Sequence, residues 1–146
     1  MPNLICFKRA INVKVVVTPR WKEEVQQQLQ SQINQLDGQL QQIETQGQRM
    51  IAEVQKQSPQ PADPMVSQQV GNIQVQVNQK KSEILEKKNQ ILQQLQQVQL
   101  LEMDQEVNQG QIEGFFRAET GDNLIRKMQV EVLLRDGIVE EIRGDV

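Results

Sequence analysis

The chain has 146 residues, a formal net charge of −3, one cysteine and no histidine. Aromatic residues make up only 3% of it, too few to fill a thick globular core, so aliphatic stripes must be buried instead, as coiled coils do. The lone Cys6 excludes an internal disulfide and points to a reducing compartment, and the missing histidines remove the commonest metal ligand and general base.

The apolar run Leu4–Phe7 is too short for a secretion signal and is followed by Lys8 and Arg9. No apolar stretch nears the ~20 residues that a bilayer span requires. A cytoplasmic protein without a membrane span is therefore expected. Residues 10–17 alternate, with Ile11, Val13, Val15 and Val17 on one side and Asn12 and Lys14 on the other, which predicts a strand with one buried face. Thr18 then suits a helix N-cap, and Pro19 suits the first helical position, where its missing N–H costs nothing.

A first helix is predicted over 19–57. Its apolar positions include Trp21, Val25, Leu29, Ile33, Leu36, Leu40, Ile43, Gly47, Met50 and Val54, and from Ile33 the steps of three and four mark a heptad seam. The positions between are mostly glutamine, an uncharged helix former. The segment 58–64 holds Pro59, Pro61 and Pro64, which no helix interior tolerates, and is read as a tip loop. Asp63-Pro64 repeats the cap-then-proline start. A second helix over 65–103 places Val70, Val77, Ile84, Ile91 and Val98 seven residues apart.

Folding back at residue 62 sets Val54 opposite Val70, Gly47 opposite Val77, Leu40 opposite Ile84, Ile33 opposite Ile91 and Leu29 opposite Leu95. It also sets Glu44 beside Lys80 and Asp37 beside Lys87. The hairpin seam is thus assigned to Ile33, Leu36, Leu40, Val70, Val77, Ile84 and Ile91. A two-helix seam uses two positions per heptad, and the second helix carries more. Leu85, Leu92 and Leu95 are the surplus and form the candidate oligomer or partner interface.

Beyond residue 104 the helical period stops. Strands are predicted over 111–118, with Phe115 and Phe116 on opposite faces, over 128–134, and over 138–142 after an Asp136-Gly137 hairpin turn. Thr120 to Asn123 is a turn cluster. The expected architecture is α+β: a long antiparallel coiled-coil helical hairpin (19–103) inserted in a small, mostly antiparallel β lobe, a barrel-like roll, built from both chain termini (1–18 and 104–146).

No catalytic, metal or cofactor constellation stands out. Asp136, Glu140 and Glu141 fit a turn and a solvated strand, and Thr120-Gly121-Asp122 is a turn rather than a phosphate loop. A buried Cys6 is the commoner case for a free thiol. No enzyme activity and no cofactor are expected.

Several segments together resemble the bacterial YlqD family, in a cyanobacterial-type version with a glutamine-rich stalk. They are the strand entering Val-Thr-Pro-Arg-Trp-Lys-Glu-Glu (17–24), Gly-Gln-Ile-Glu-Gly (110–114), Thr-Gly-Asp (120–122) and the closing Asp-Gly-Ile-Val-Glu-Glu-Ile-Arg (136–143). The resemblance implies a coiled-coil hairpin with a β lobe in a bacterial cytosol, and it carries over no catalytic residues. Genes of some members lie among those for ribosomal and RNA-modifying proteins, which implies a link to translation or RNA.

Three functions follow for testing. The first is a structural or protein-interaction role with self-association as dimer or tetramer through the stalk, another protein partner being the variant of it. The second is an RNA- or ribosome-associated module reading through the β lobe, with Phe115, Phe116 and Arg117 as the stacking group. Five basic and eight acidic residues over 109–146 disfavour nucleic acid. The third is a chaperone-like clamp similar to prefoldin, although prefoldin puts its β hairpins mid-chain and here the strands lie at the chain ends.

Overall fold

The structure, a computed structural model, describes residues 3–57 and 63–145. The predicted tip from Ser58 to Ala62 lies outside them. The elements are β1 (Leu4–Val16), α1 (Pro19–Gln57), α2 (Pro64–Leu100), β2 (Glu106–Glu119), α3 (Leu124–Met128), β3 (Val130–Arg135) and β4 (Ile138–Arg143). They form two compact units, one of residues 1–24 with 100–146 and one of residues 25–99.

Both long helices start as their sequences predict. The Trp21 N–H donates to Thr18 Oγ1 at 3.0 Å, and the Met65 N–H donates to Asp63 Oδ1 at 3.0 Å. In the helical unit the chains run antiparallel, because Gly47 meets Val77 while Asp37 pairs with Lys88 further on. Leu29, Ile33, Leu36 and Gly47 are buried on α1, with Leu40, Ile43, Ile51 and Val54 half-buried. Met50 turns outward at 49% exposure and Ile51 takes its place, a step of four from Gly47 where three was expected. The ion pairs also shift by one residue on α2. Glu44 pairs with Lys81 rather than Lys80, and Asp37 with Lys88 (2.6 Å) rather than Lys87. Lys81 and Lys88 each lie four residues beyond a seam residue, Val77 and Ile84. That keeps them on the side facing α1, half-buried, whereas Lys80 and Lys87 are exposed.

The other unit is a four-stranded sheet of order β2-β1-β3-β4. β1 pairs antiparallel with β2 and parallel with β3, and β3 pairs antiparallel with β4. β1 and β2 are longer than their alternation suggests. Each extends through polar residues because the other supplies a ladder partner from Leu4↔Glu119 to Val16↔Glu106. The turn joining β3 to β4 has Asp136 at φ 50° and Gly137 at φ 83°, the positive angles a two-residue Asp-Gly hairpin requires. α3 was not foreseen. It is five residues long and starts where Asn123 Oδ1 accepts from the Arg126 N–H.

The barrel-like closure expected from the sequence does not form. The sheet is open, with β2 and β4 at its edges. Four strands are too few to enclose side chains, since about eight give an interior just wide enough to be filled.

Candidate interaction surfaces

Strand register assigns each side chain of the sheet to a face, because directly paired residues share one. One face carries Phe7, Arg9, Ile11, Val13 and Val15 of β1 with Phe116 and Ile112 of β2, Val130 and Val132 of β3, and Ile142 and Val139 of β4. At one end of this face Phe7 and Phe116 stack with centroids 5.5 Å apart, and the Arg9 guanidinium lies 4.9 Å from the Phe116 centroid. Arg9 is only 6% exposed. It donates to the carbonyls of Lys127 (2.5 Å) and Asp145 (3.3 Å), so α3 and the last described residues lie against it, while its Nε has no partner. Towards the other end Ile112, Val139 and Ile142 remain about half exposed. That leaves an open aliphatic surface.

The opposite face carries charge. Lys14 pairs with Glu131 at 3.1 Å, and Arg143 reaches Glu131 (3.2 Å), Glu141 (3.0 Å) and Glu106 (2.5 Å). Arg143 is on edge strand β4 and Glu106 on edge strand β2. Three spacings of about 4.8 Å separate flat edges, so the sheet must twist and curl toward this face for the two to meet. Hydrogen bonds from Arg143 hold the Glu106 carboxyl below its ordinary 4.5, and those from Lys14 and then Arg143 do the same for Glu131. The Arg143 pKa is raised, first by its bond to Glu106. Carboxylates so held stay ionised at neutral pH, the opposite of what a general acid needs. Further along this face Phe115 is 66% exposed, with Lys8 Nζ 5.9 Å from its centroid and Arg117 next on the strand. Cys6 is exposed here too, against the buried position expected of it.

In the helical unit, a groove of about 310 Å³ flanks the Gly47–Val77 contact, lined by Glu44, Ile51, Gln74, Val77 and Lys81 among others. Its two charged groups are already paired with each other, so nothing in it is left to hold an ionic ligand. Among the described residues no cluster of His, Cys, Asp or Glu could hold a metal ion.

The seam candidates lie inward: Ile33 and Leu36 are buried, and Leu40, Val70, Val77, Ile84 and Ile91 are half-buried. Of the interface candidates, Leu85 is 46% and Leu92 38% exposed. Leu95 is half-buried alongside Ile91 and Val98. Two features escaped the sequence reading. The charged face was signalled only by alternation of Lys14, Glu131, Glu141 and Arg143 with apolar residues. Nothing in the sequence marked Arg9 for burial.

No helix among the described residues is long and apolar enough to cross a membrane. No curated protein matches the chain. Among solved structures, a crystal structure of a protein of unknown function from Synechococcus sp. WH 8102 is 47% identical, with a TM-score of 0.79 over 97% of this chain and 95% of that one. A likeness at that identity and coverage extends to both units, the helices as well as the sheet. The family model described as YlqD protein matches residues 5–143, so the chain belongs to the YlqD family.

Proposed function

We propose that this is a non-enzymatic, cytoplasmic interaction protein whose α1–α2 pair is a coiled-coil hairpin that self-associates. The observation that carries the proposal is the pair Leu85 and Leu92. They stand seven residues apart on α2, at 46% and 38% exposure, beside rather than on the Ile84/Ile91 column. Leucines repeated at that interval on a helix surface are what a second helical layer buries, most simply that of a second copy in a four-helix bundle. The open aliphatic surface of Ile112, Val139 and Ile142 gives the β lobe a face to offer a protein client.

The test is solution mass by light scattering on wild type and on Leu85→Glu/Leu92→Glu. A dimer or tetramer that falls to a lower-order species with unchanged helix content supports the proposal. A mass that the substitutions leave untouched sinks it.

One observation favours an RNA-binding reading as the alternative: Phe115 is exposed beside Lys8 and Arg117, the chemistry of a base-stacking platform. Against it, ten basic and thirteen acidic residues leave this unit at −3. A 260/280 nm absorbance ratio on the eluting peak separates the two.

A further inference from the structure

We infer that the exposed edge of β2 is a second self-association site, at which two copies pair β2 to β2 about a two-fold axis through Phe115. It is separate from the α2 surface and does not depend on it.

β2 is an edge strand: one side pairs with β1 and the other is open. From Glu119 back to Gly110 its register with β1 runs without a break, and the only shift comes beyond, between Val13 and Lys14. Gln111 to Arg117 is thus a straight, regular edge that still offers N–H and C=O groups, the kind of edge that recruits another strand unless it is guarded, whereas the N–H and C=O of Glu119 are both bonded to Asp122. The other edge is guarded. β4 has six residues, a register shift of its own, and ion pairs at Glu140, Glu141 and Arg143.

The occupant follows from charge. A two-fold antiparallel pairing sets like faces opposite each other, so the axis must pass through a residue. With the axis at Phe115, Glu113 faces Arg117 of the second copy, Arg117 faces its Glu113, and the two Phe115 rings meet between them. This register pairs Glu113 to Arg117 of each copy and stops short of Glu119, whose N–H and C=O are bonded to Asp122. An axis at Gly114 sets Glu113 against a phenylalanine, one at Glu113 sets that carboxylate against itself, and one at Phe116 sets Glu113 against Glu119. Only the Phe115 axis matches both charges. Both are exposed, and among the described residues neither has an ion-pair partner. Opposite charges and aromatic pairs facing across strands favour pairing, and like charges there oppose it. Lys127 Nζ lies 3.4 Å from the Arg117 carbonyl, which keeps a second lone pair for the new ladder.

Charge reversal tests this. In the full chain, Glu113→Arg alone and Arg117→Glu alone should each weaken the association by roughly tenfold or more. The double reversal should restore it. Loss in both singles without recovery in the double overturns the pairing, as does no loss in either. A cross-link reads the same contact independently of the α2 surface. Phe115→Cys in a Cys6→Ser background puts two thiols on the axis, where facing strands bring Cα atoms within disulfide range. Oxidation should join two copies, in the Leu85→Glu/Leu92→Glu background as well. A chain that stays unlinked under oxidation overturns the proposal and leaves the α2 reading intact.

Discussion

Val77 packs its Cγ2 onto the bare backbone of Gly47, so closely that a Cβ built at Gly47 would lie 2.7 Å from it. Valine is stiff at χ1, so the methyl cannot simply swing away. Gly38, on the same helix, has nothing within 4 Å of such a Cβ. The two glycines therefore respond oppositely to alanine. Gly38→Ala should raise stability by about 0.5–1 kcal/mol through helix propensity alone. Gly47→Ala should lose that gain to the clash and come out neutral or destabilising, and Val77→Ala should restore it. Urea unfolding followed by circular dichroism at 222 nm measures all three. Equal gains at both glycines would mean that the Gly47–Val77 contact is absent in solution.

Thr18 serves two elements at once. Its Oγ1 accepts from the Trp21 N–H and donates to Asp136 Oδ1 in the β3–β4 turn. Thr18→Val keeps the shape and loses both bonds, and should cost about 1–2 kcal/mol. Thr18→Ser should cost well under half of that. Chemical denaturation of the two variants, with tryptophan fluorescence as the probe, gives the comparison.

The Arg143 network sets an acid limb. Glu106 and Glu131 have folded-state pKa values below their ordinary 4.5. The folded state thus binds protons less readily than the unfolded one. The stabilisation is present above about pH 4.5 and is lost as pH falls through the depressed folded values. The melting temperature should drop below that point, and Arg143→Met should flatten the drop by letting both carboxylates return toward the unfolded value. Thermal melts from pH 7 down to about 2.5 decide it: parallel curves for the two proteins would remove Arg143 from the acid limb.

Arg9 is a buried cation held by an aromatic face and two carbonyls rather than a carboxylate. Truncation to alanine removes its packing on Phe116 and frees the Lys127 and Asp145 carbonyls, and should destabilise by about 2–4 kcal/mol. Arg9→Met keeps the stem and removes the desolvated charge, and should cost markedly less. Equal losses in urea melts would assign the role of Arg9 to its hydrogen bonds alone.

Local chemistry was the legible part of the fold. The caps at Thr18 and Asp63, the Asp136-Gly137 turn and the facing of Gly47 with Val77 each depend on residues near in sequence or on one repeat. The one-residue shift from Lys80 to Lys81 and from Lys87 to Lys88 was not legible, because folding back at residue 62 fixes which turns face each other but not which of two adjacent lysines leans inward. The outer halves of β1 and β2 were hidden for another reason. Cys6, Lys8 and Arg9, or Asn108 to Gly110, have no strand preference of their own and become strand only through each other. Of the surfaces, Leu85 and Leu92 were readable as surplus on a heptad. The edge of β2 was not, since an edge is defined by what is absent beside it.

β1 precedes the long helices in the chain, and both strands that flank it, β2 and β3, follow them. Arg9 meets Lys127 across 118 positions, and the Lys22 ammonium meets the Leu101 carbonyl across 79. So distant a closure is slow if it must wait for a random encounter, because its entropic cost precedes any reward. The helices change the order of events. Pairing of α1 with α2 proceeds between neighbouring turns in the proposed hairpin, and is expected to shorten the loop that the Lys22–Leu101 contact must close. The helical insertion is thereby expected to speed the closing of the sheet it interrupts.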